Sequence, residues 1–283
     1  MLTDRICLVT GASLGVGKGI AVALGAGGAT VYVTGRSSKK GDNPFGGTVF
    51  ATADEVTKRG GRGVAVVCDH SNDEQTRALF DKIEKESGRL DILVNNATAI
   101  PNGLTETGPF WKKPLDFVKL LDVGLRSYYT TTWYAAPMLI KQGGLIFNSS
   151  SPGARSYMHG PAYGAAKAGV DKMSHDMAHD FKPFGVAVIS VWLGLVKTEK
   201  VLTIDVNKSK YGAMLAMAES PEFGGLIVDA IYNDPNRMEL TGQTFFAAEL
   251  AERYQVKDID GKQPPSGRRA LGAPTEFTPI FIE

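Results

Sequence analysis

The sequence has few cysteines, no excess of either charge and no long apolar run. Its two cysteines, Cys7 and Cys68, are too few for a disulfide framework, and each lies in an apolar run, so both are interpreted as small core residues in a reducing compartment. Lys and Arg total 31 and Asp and Glu 30, a net charge of +1, which indicates no nucleic-acid or membrane-surface partner. No apolar run reaches the ~18 residues that a transmembrane segment needs. The start, MLTDRICLVTG, lacks the pattern of a secretory signal, so we expect a soluble, cytoplasmic protein.

Short, continuous apolar runs alternate with amphipathic stretches along the chain. Strands that are apolar throughout are typical of a parallel sheet covered on both faces. With right-handed crossovers, the expected fold class is α/β, a doubly wound parallel sheet of the Rossmann type in a single domain. The expected strands are 5–10, 30–34, 63–68, 91–95, 144–148, 185–192 and 243–248.

The domain is expected to span residues 1–248, with built-in substrate loops at about 194–220. Two long helices are predicted at about Leu115–Ile140 and Pro161–Phe181, and shorter ones at Tyr211–Glu219 and Phe223–Asn233. The tail, 249–283, is rich in Pro, Gly and charge, so we expect it to be irregular and to lie across another surface.

The stretch NSSSPGARSYMHGPAYGAAK, residues 148–167, combines a serine cluster with Tyr163 and Lys167. On a helix these two side chains share one face, about one turn apart. An ammonium there favours the phenolate, and bringing a tyrosine from its usual pKa of roughly 10 to near neutrality takes ~4 kcal/mol. The pattern predicts a tyrosine that exchanges a proton with an alcohol or carbonyl oxygen, assisted by a serine hydroxyl.

The first strand leads into the glycine-rich turn TGASLGVG, which contains Gly11, Gly15 and Gly17. Glycines there let the chain turn tightly and let a pyrophosphate approach the N-terminus of the next helix. The spacing G-x-x-x-G-x-G differs from the common dinucleotide fingerprint. After the second strand, Arg36 stands where an NAD enzyme usually carries an acidic residue, which favours NADP; an exposed loop cation is the alternative interpretation.

Together, TGASLGVG, the NNA at 95–97, a serine ahead of YxxxK and the late LGLVKT resemble the short-chain dehydrogenase/reductase family over about Asp4–Ala248. The resemblance implies that Tyr163 is the proton donor or acceptor and that Lys167 lowers its pKa and holds the nicotinamide ribose. It places the catalytic serine 13 residues before the tyrosine, at Ser150 (163 − 13 = 150), with Ser149 and Ser151 as competitors. The implied cofactor-binding residues are Gly11, Ser13, Leu14, Gly15, Gly17, Arg36, Asp69, His70, Asn95, Ala97, Tyr163, Lys167, Val196 and Thr198.

Several positions depart from the family pattern. By the best register, Asp122 replaces an asparagine that often completes a proton relay; Thr98 replaces the glycine of NNAG; and Leu193 replaces a proline. Leu14 stands where NADP enzymes often carry arginine, so NAD stays a possible cofactor. A metal site at His175 and His179 is not expected, because no third ligand lies at a motif position.

The expected function is hydride transfer between NADP(H) and a carbonyl/alcohol pair. The substrate pocket is predicted between the loop after Asn95, residues 156–160 and residues 200–220; its composition suggests an apolar or aromatic substrate. Apolar candidates for its lining are Tyr157, Met158, Leu202, Tyr211, Met214 and Met217. The alternatives are an NADP-binding sensor or scaffold that has lost turnover, and a lyase or epimerase on the same scaffold. The family likeness further implies a homodimer or homotetramer formed through the two long helices.

Overall fold

One sheet of seven parallel strands organises the molecule. The computed structural model describes residues 1–203, 212–280 and 282. The strands are β1 Ile6–Val9, β2 Thr30–Gly35, β3 Arg62–Val67, β4 Ile92–Asn95, β5 Gly144–Ser150, β6 Val186–Trp192 and β7 Thr244–Phe246. Their order across the sheet is β3-β2-β1-β4-β5-β6-β7. The predicted doubly wound, Rossmann-type single domain is confirmed.

The helices cover both faces of the sheet, which explains why the strands are apolar throughout. They are α1 Gly15–Ala26, α2 Val49–Lys58, α3 Asp73–Ser87, α4 Lys119–Leu121, α5 Ser127–Leu139, α6 Pro161–Phe181, α7 Gly212–Leu215, α8 Phe223–Asn233, α9 Ala247–Tyr254 and α10 Arg268–Leu271. Helices α1, α2, α8 and α9 pack on one face, and α3, α5 and α6 pack on the other. In the described part of the chain, no helix combines the length and the hydropathy that crossing a bilayer requires.

The region expected to be one long helix, Leu115–Ile140, is interrupted. It begins as a 3-10 turn at Leu115–Val118, continues into α4, widens into a π-turn at Asp122–Arg126 and then becomes α5. A π-turn inserts an extra residue into the helix and so shifts which side chains face inward. Of the helix expected at Tyr211–Glu219, α7 is the described part; Tyr211 lies outside the described residues.

The tail is more ordered than its composition suggests, and the expectation that 249–283 is irregular is wrong for α9. Leu250 and Ala251 are fully buried against the core, and this apolar side drives the helix. Further along, the tail lies on the outer side of α6. There the Phe277 ring lies 5.1 Å from the His175 ring.

The sheet brings the predicted motifs to one edge. Strand β1 lies between β2 and β4, so the strand order reverses there, and a crevice forms at the carboxyl ends of the strands. The glycine turn follows β1, the NNA segment follows β4, the serine cluster ends β5, and residues 193–199 follow β6. Because all strands are parallel, these segments lie at the same edge.

Candidate active site

The glycine turn is shaped by close backbone contacts. Gly11 has φ +65°, and a Cβ there would lie 2.7 Å from Ala97 Cα. A Cβ on Gly17 would lie 2.4 Å from Gly11 O. Side chains cannot be accommodated at either position, so the backbone itself forms the surface of the turn.

Two residues that the sequence reasoning missed hold this turn against β4. Asn96 Nδ2 donates to the carbonyls of Thr10 (2.9 Å) and Gly11 (3.1 Å). The Thr10 hydroxyl accepts hydrogen bonds from the amides of Asn96 and Ala97 at 2.9 and 3.0 Å. The second asparagine of NNA therefore fixes the glycine turn, and its position directly after a strand was the available signal.

The N-terminus of α1 already binds an anionic group. Leu14, at the N-cap, provides no side-chain cap, and the first turn has no acidic residue. The Gly15 amide donates instead to Glu199 Oε2 at 2.9 Å, and Lys18 Nζ lies 3.9 Å from Glu199 Oε1. Thr198 packs beside Gly15, and a Cβ on this glycine would lie 3.4 Å from Thr198 Cγ2. An anion is favoured here by the free amides and the helix dipole.

Arg36 and Asp69 lie near each other beyond β2 and β3. Arg36 is exposed, whereas Asp69 is half-buried. Burial raises the pKa of Asp69, but hydrogen bonds from Ser71 and the charge of Arg36 outweigh it, so the net pKa is lowered. The pair thus provides one cation and one carboxylate at the predicted adenosine end.

Two predicted cofactor contacts, His70 and Asn95, instead point into the protein. The His70 ring is buried, with Nε2 2.7 Å from Thr34 Oγ1, and burial lowers its pKa to about 4. Asn95 is fully buried; its Nδ2 donates to Thr132 Oγ1 at 3.0 Å and to Asn148 Oδ1 at 2.9 Å. These side chains join strands and helices to one another. A role for either side chain in direct cofactor contact is therefore not supported.

Two predicted residues remain, Ser13 and Val196. Ser13 is half-buried and packs beside Gly35; a Cβ on Gly35 would lie 3.4 Å from Ser13 Oγ. Val196 is buried and forms an isolated parallel bridge with Glu219. The bridge ties the segment after β6 to the residues that precede α8.

Tyr163 lies in the first turn of α6 and reaches back to the end of β5. Its Oη donates to Ser151 Oγ at 2.9 Å. A Cβ on Gly153 would lie 2.6 Å from Tyr163 Cε1, so this glycine lets the loop pass close over the ring. The hydroxyl groups of Tyr163 and Ser151 therefore converge.

The serine beside the tyrosine is Ser151, 12 residues before it, so the choice of Ser150 is corrected. Ser150 is the last residue of β5, and its Oγ makes a 3.4 Å contact with Lys167 O. Ser151 already belongs to the following turn, so its side chain leaves the backbone in a different direction. A spacing counted along the sequence could not show where the strand ends.

Lys167 lies one turn after Tyr163 on the same helix, as predicted. Its Nζ donates to Ser149 O at 2.9 Å and lies 6.0 Å from the centre of the Tyr163 ring. Tyr128, another residue that sequence reasoning missed, also donates to Ser149 O, at 3.2 Å. Burial raises the pKa of Tyr163, and the hydrogen bond with Ser151 offsets this only in part. The expected lowering of that pKa by Lys167 is therefore not found, because desolvation dominates.

Comparison with known proteins places this geometry in a family. The model of the short chain dehydrogenase family matches residues 5–208. The chain belongs to the short-chain dehydrogenase family. It is 40% identical over 274 residues to dehydrogenase/reductase SDR family member 1 of Mus musculus, covering 92% of this chain and 85% of that protein. It is 31% identical to a 3-oxoacyl-[acyl-carrier-protein] reductase of Synechocystis, covering 86% and 95%.

A solved structure of a putative dehydrogenase from Xanthomonas campestris has the same fold. The TM-score is 0.78 at 25% identity, and the likeness covers 93% of each chain. Short-chain dehydrogenases are oxidoreductases that use nicotinamide cofactors. The residues of this chain fit such a group: Gly11 and Gly17 leave a backbone cradle, and the Gly15 amide already binds a carboxylate.

The position expected for the relay asparagine of short-chain dehydrogenases is also corrected. Asp122 is exposed, whereas Gly124 is buried in the π-turn. A Cβ on Gly124 would lie 3.1 Å from Thr98 Oγ1 and 3.9 Å from Ala166 Cβ. Gly124, not Asp122, therefore faces the helix that carries Lys167, because the π-turn shifts the register that the sequence suggested.

Proposed function

We propose that the chain is an NADP(H)-dependent oxidoreductase acting on a carbonyl or secondary alcohol, with Tyr163 as general acid/base. The observation that carries this proposal is the 2.9 Å contact between the Tyr163 and Ser151 hydroxyls, at the sheet edge that also holds the glycine turn. Two hydroxyls this close can contact one carbonyl oxygen from two sides. Lys167, one turn further on, supplies a cation behind them.

In the direction of reduction, Tyr163 gives its phenolic proton to the carbonyl oxygen, while Ser151 donates a hydrogen bond to the same oxygen. Because its pKa is raised, the phenol is protonated at neutral pH and serves as the acid. The nicotinamide, when bound, supplies the hydride that the carbonyl carbon accepts. In the oxidation direction, the Tyr163 oxygen, in its phenolate form, removes the proton of the alcohol, while Ser151 keeps its hydrogen bond to the same substrate oxygen.

Arg36 supports a preference for NADP. It is exposed at the end of β2, where a guanidinium can bind a 2′-phosphate through two hydrogen bonds. NAD stays the alternative, since Leu14 adds no second cation. The test is calorimetry of NADPH and NADH binding to wild type and to Arg36→Asp. The substitution is expected to weaken NADPH binding at least ~10-fold more than NADH binding, and equal losses of affinity would contradict the preference.

The substrate is proposed to be an apolar or aromatic ketone or quinone. Apolar side chains on the two segments expected to line the pocket are exposed: Tyr157 is 82% exposed, Leu202 65% and Met217 58%. The test is NADPH oxidation, followed by absorbance, over a panel of ketones and quinones. Turnover of apolar members supports the proposal. NADPH binding without any oxidation would favour the sensor or scaffold.

Association through α5 and α6 is proposed from the surface of α5. Tyr129 and Trp133 on this helix are 56% and 62% exposed, and aromatic side chains are enriched at protein interfaces. Light scattering is expected to give a homodimer or homotetramer. A monomer at micromolar concentration would contradict this.

A further inference from the structure

A buried carboxylate lies on the same helix as Lys167. Asp171 follows Lys167 by one turn on α6 and is 2% exposed. Its Oδ1 accepts a hydrogen bond from Ser190 Oγ at 2.6 Å, and its Oδ2 accepts one from Trp192 Nε1 at 2.8 Å. Both donors belong to β6, so the carboxylate is tied to the sheet and not to solvent.

The surroundings of Lys167 offer little else to balance its charge. The residue is 7% exposed, and its ammonium donates to a backbone carbonyl, that of Ser149. The titratable groups that face it are Tyr163 on its own helix, Tyr128 on α5 and Asp171. Neither phenol is charged near neutral pH, because burial raises the pKa of both. Asp171 is therefore the counter-charge among the described groups.

The groups around Asp171 oppose the cost of burying its charge. Burial is the larger effect, so the net pKa of Asp171 is raised, while hydrogen bonds from Ser190, Ser150 and Trp192 and the charge of Lys167 act in the opposite direction and favour the carboxylate. A buried carboxylate with several donors and a nearby cation is stable as an anion, whereas an isolated one is not. This arrangement also gives Ser150 a role distinct from that of Ser151.

We propose that Asp171 is a positioning residue that keeps Lys167 in its ammonium form between the phenol of Tyr163 and the sheet. It contacts neither substrate nor cofactor and acts through the lysine. Its value to catalysis rests on the proposed function, but its effect on the charge of Lys167 does not. Loss of the carboxylate leaves a buried cation without a partner, which then releases its proton more easily.

The direct test is an NMR titration of protein labelled with [ε-13C]lysine, in which the Lys167 signal is assigned by its loss in Lys167→Arg. In Asp171→Asn the midpoint of Lys167 is expected to fall by about one pH unit or more. Asp176→Asn is the matched control, because Asp176 is an exposed acid on the same helix, 2.5 Å from Lys172 Nζ. It is expected to leave the Lys167 midpoint unchanged.

An unchanged midpoint in Asp171→Asn, or a wild-type midpoint below about pH 7, would overturn the proposal. If Asp171→Asn does not fold, Asp171→Ser replaces it; this variant also removes the charge but keeps a hydroxyl that can accept from Ser190, so the midpoint is expected to fall in the same direction. No fall in Asp171→Ser would likewise overturn the proposal. Rates of NADPH-dependent reduction of 9,10-phenanthrenequinone form a separate readout, in which the alkaline limb of Asp171→Asn should move to lower pH with the NMR midpoint. If wild type shows no turnover, the proposed function fails while the titration still decides the role of Asp171.

Discussion

Replacing Ser151 with alanine tests which serine serves the reacting oxygen. Ser151 Oγ lies 2.9 Å from Tyr163 Oη, so the substitution removes one of the two hydroxyls that converge there. Loss of one donor to a developing oxyanion costs ~3–4 kcal/mol, or a fall in kcat of about 10²–10³-fold. The loss should be similar for kcat and kcat/KM, because the interaction forms in the transition state.

The assay is NADPH oxidation with the best ketone or quinone of the panel, and the matched control is Ser150→Ala. Ser150 contacts Lys167 O and lies against Asp171, so its loss is expected to lower kcat less than about tenfold. Ser151 Oγ also accepts from the Gly153 amide at 3.0 Å, so Ser151→Thr, which retains the hydroxyl, checks for loss of loop structure. A large fall in kcat for Ser150→Ala, together with a kcat close to that of wild type for Ser151→Ala, would refute the reasoning.

Two further predictions concern other parts of the molecule. Glu199→Gln should bind NADPH about 2–5-fold more tightly by calorimetry, because the carboxylate that now accepts from the Gly15 amide competes with the cofactor phosphates; weaker binding would contradict this. The stability of the fold should fall as pH drops from about 6.5 toward 4, because buried neutral His70, with a pKa of about 4, is protonated more readily in the unfolded chain. In denaturant unfolding between these pH values, the free energy of unfolding of His70→Gln should fall by roughly 2–4 kcal/mol less than that of wild type. A variant with the same pH dependence as wild type would count against the assignment.

The sheet and most helices could be predicted because their signals are local. The apolar runs mark all seven strands, and Phe223–Asn233 forms a helix with the predicted bounds. Asn72, a residue type that favours helix N-caps, caps α3 by accepting from the Gln75 amide at 3.0 Å. Helix α9 was missed because its apolar side, Leu250 and Ala251, is short and lies in a stretch rich in charge.

The errors at the site all concern where a side chain points. Ser150 and Ser151 are adjacent, and the end of β5 decides which of them meets Tyr163. The π-turn puts Gly124 where Asp122 was expected. Asn95 faces inward for a related reason, since side chains alternate along a strand and β4 ends at this residue. Motif spacing fixes a position along the chain, whereas side-chain direction depends on tertiary structure.

The most direct test of the central claim, that Tyr163 is the proton donor and acceptor of a nicotinamide-dependent reaction, is Tyr163→Phe measured for both turnover and NADPH binding. The ring and its packing beside Gly153 are kept, so NADPH affinity should stay within about twofold, while kcat should fall by at least ~10²-fold. Turnover close to that of wild type, with NADPH still bound, would contradict the account.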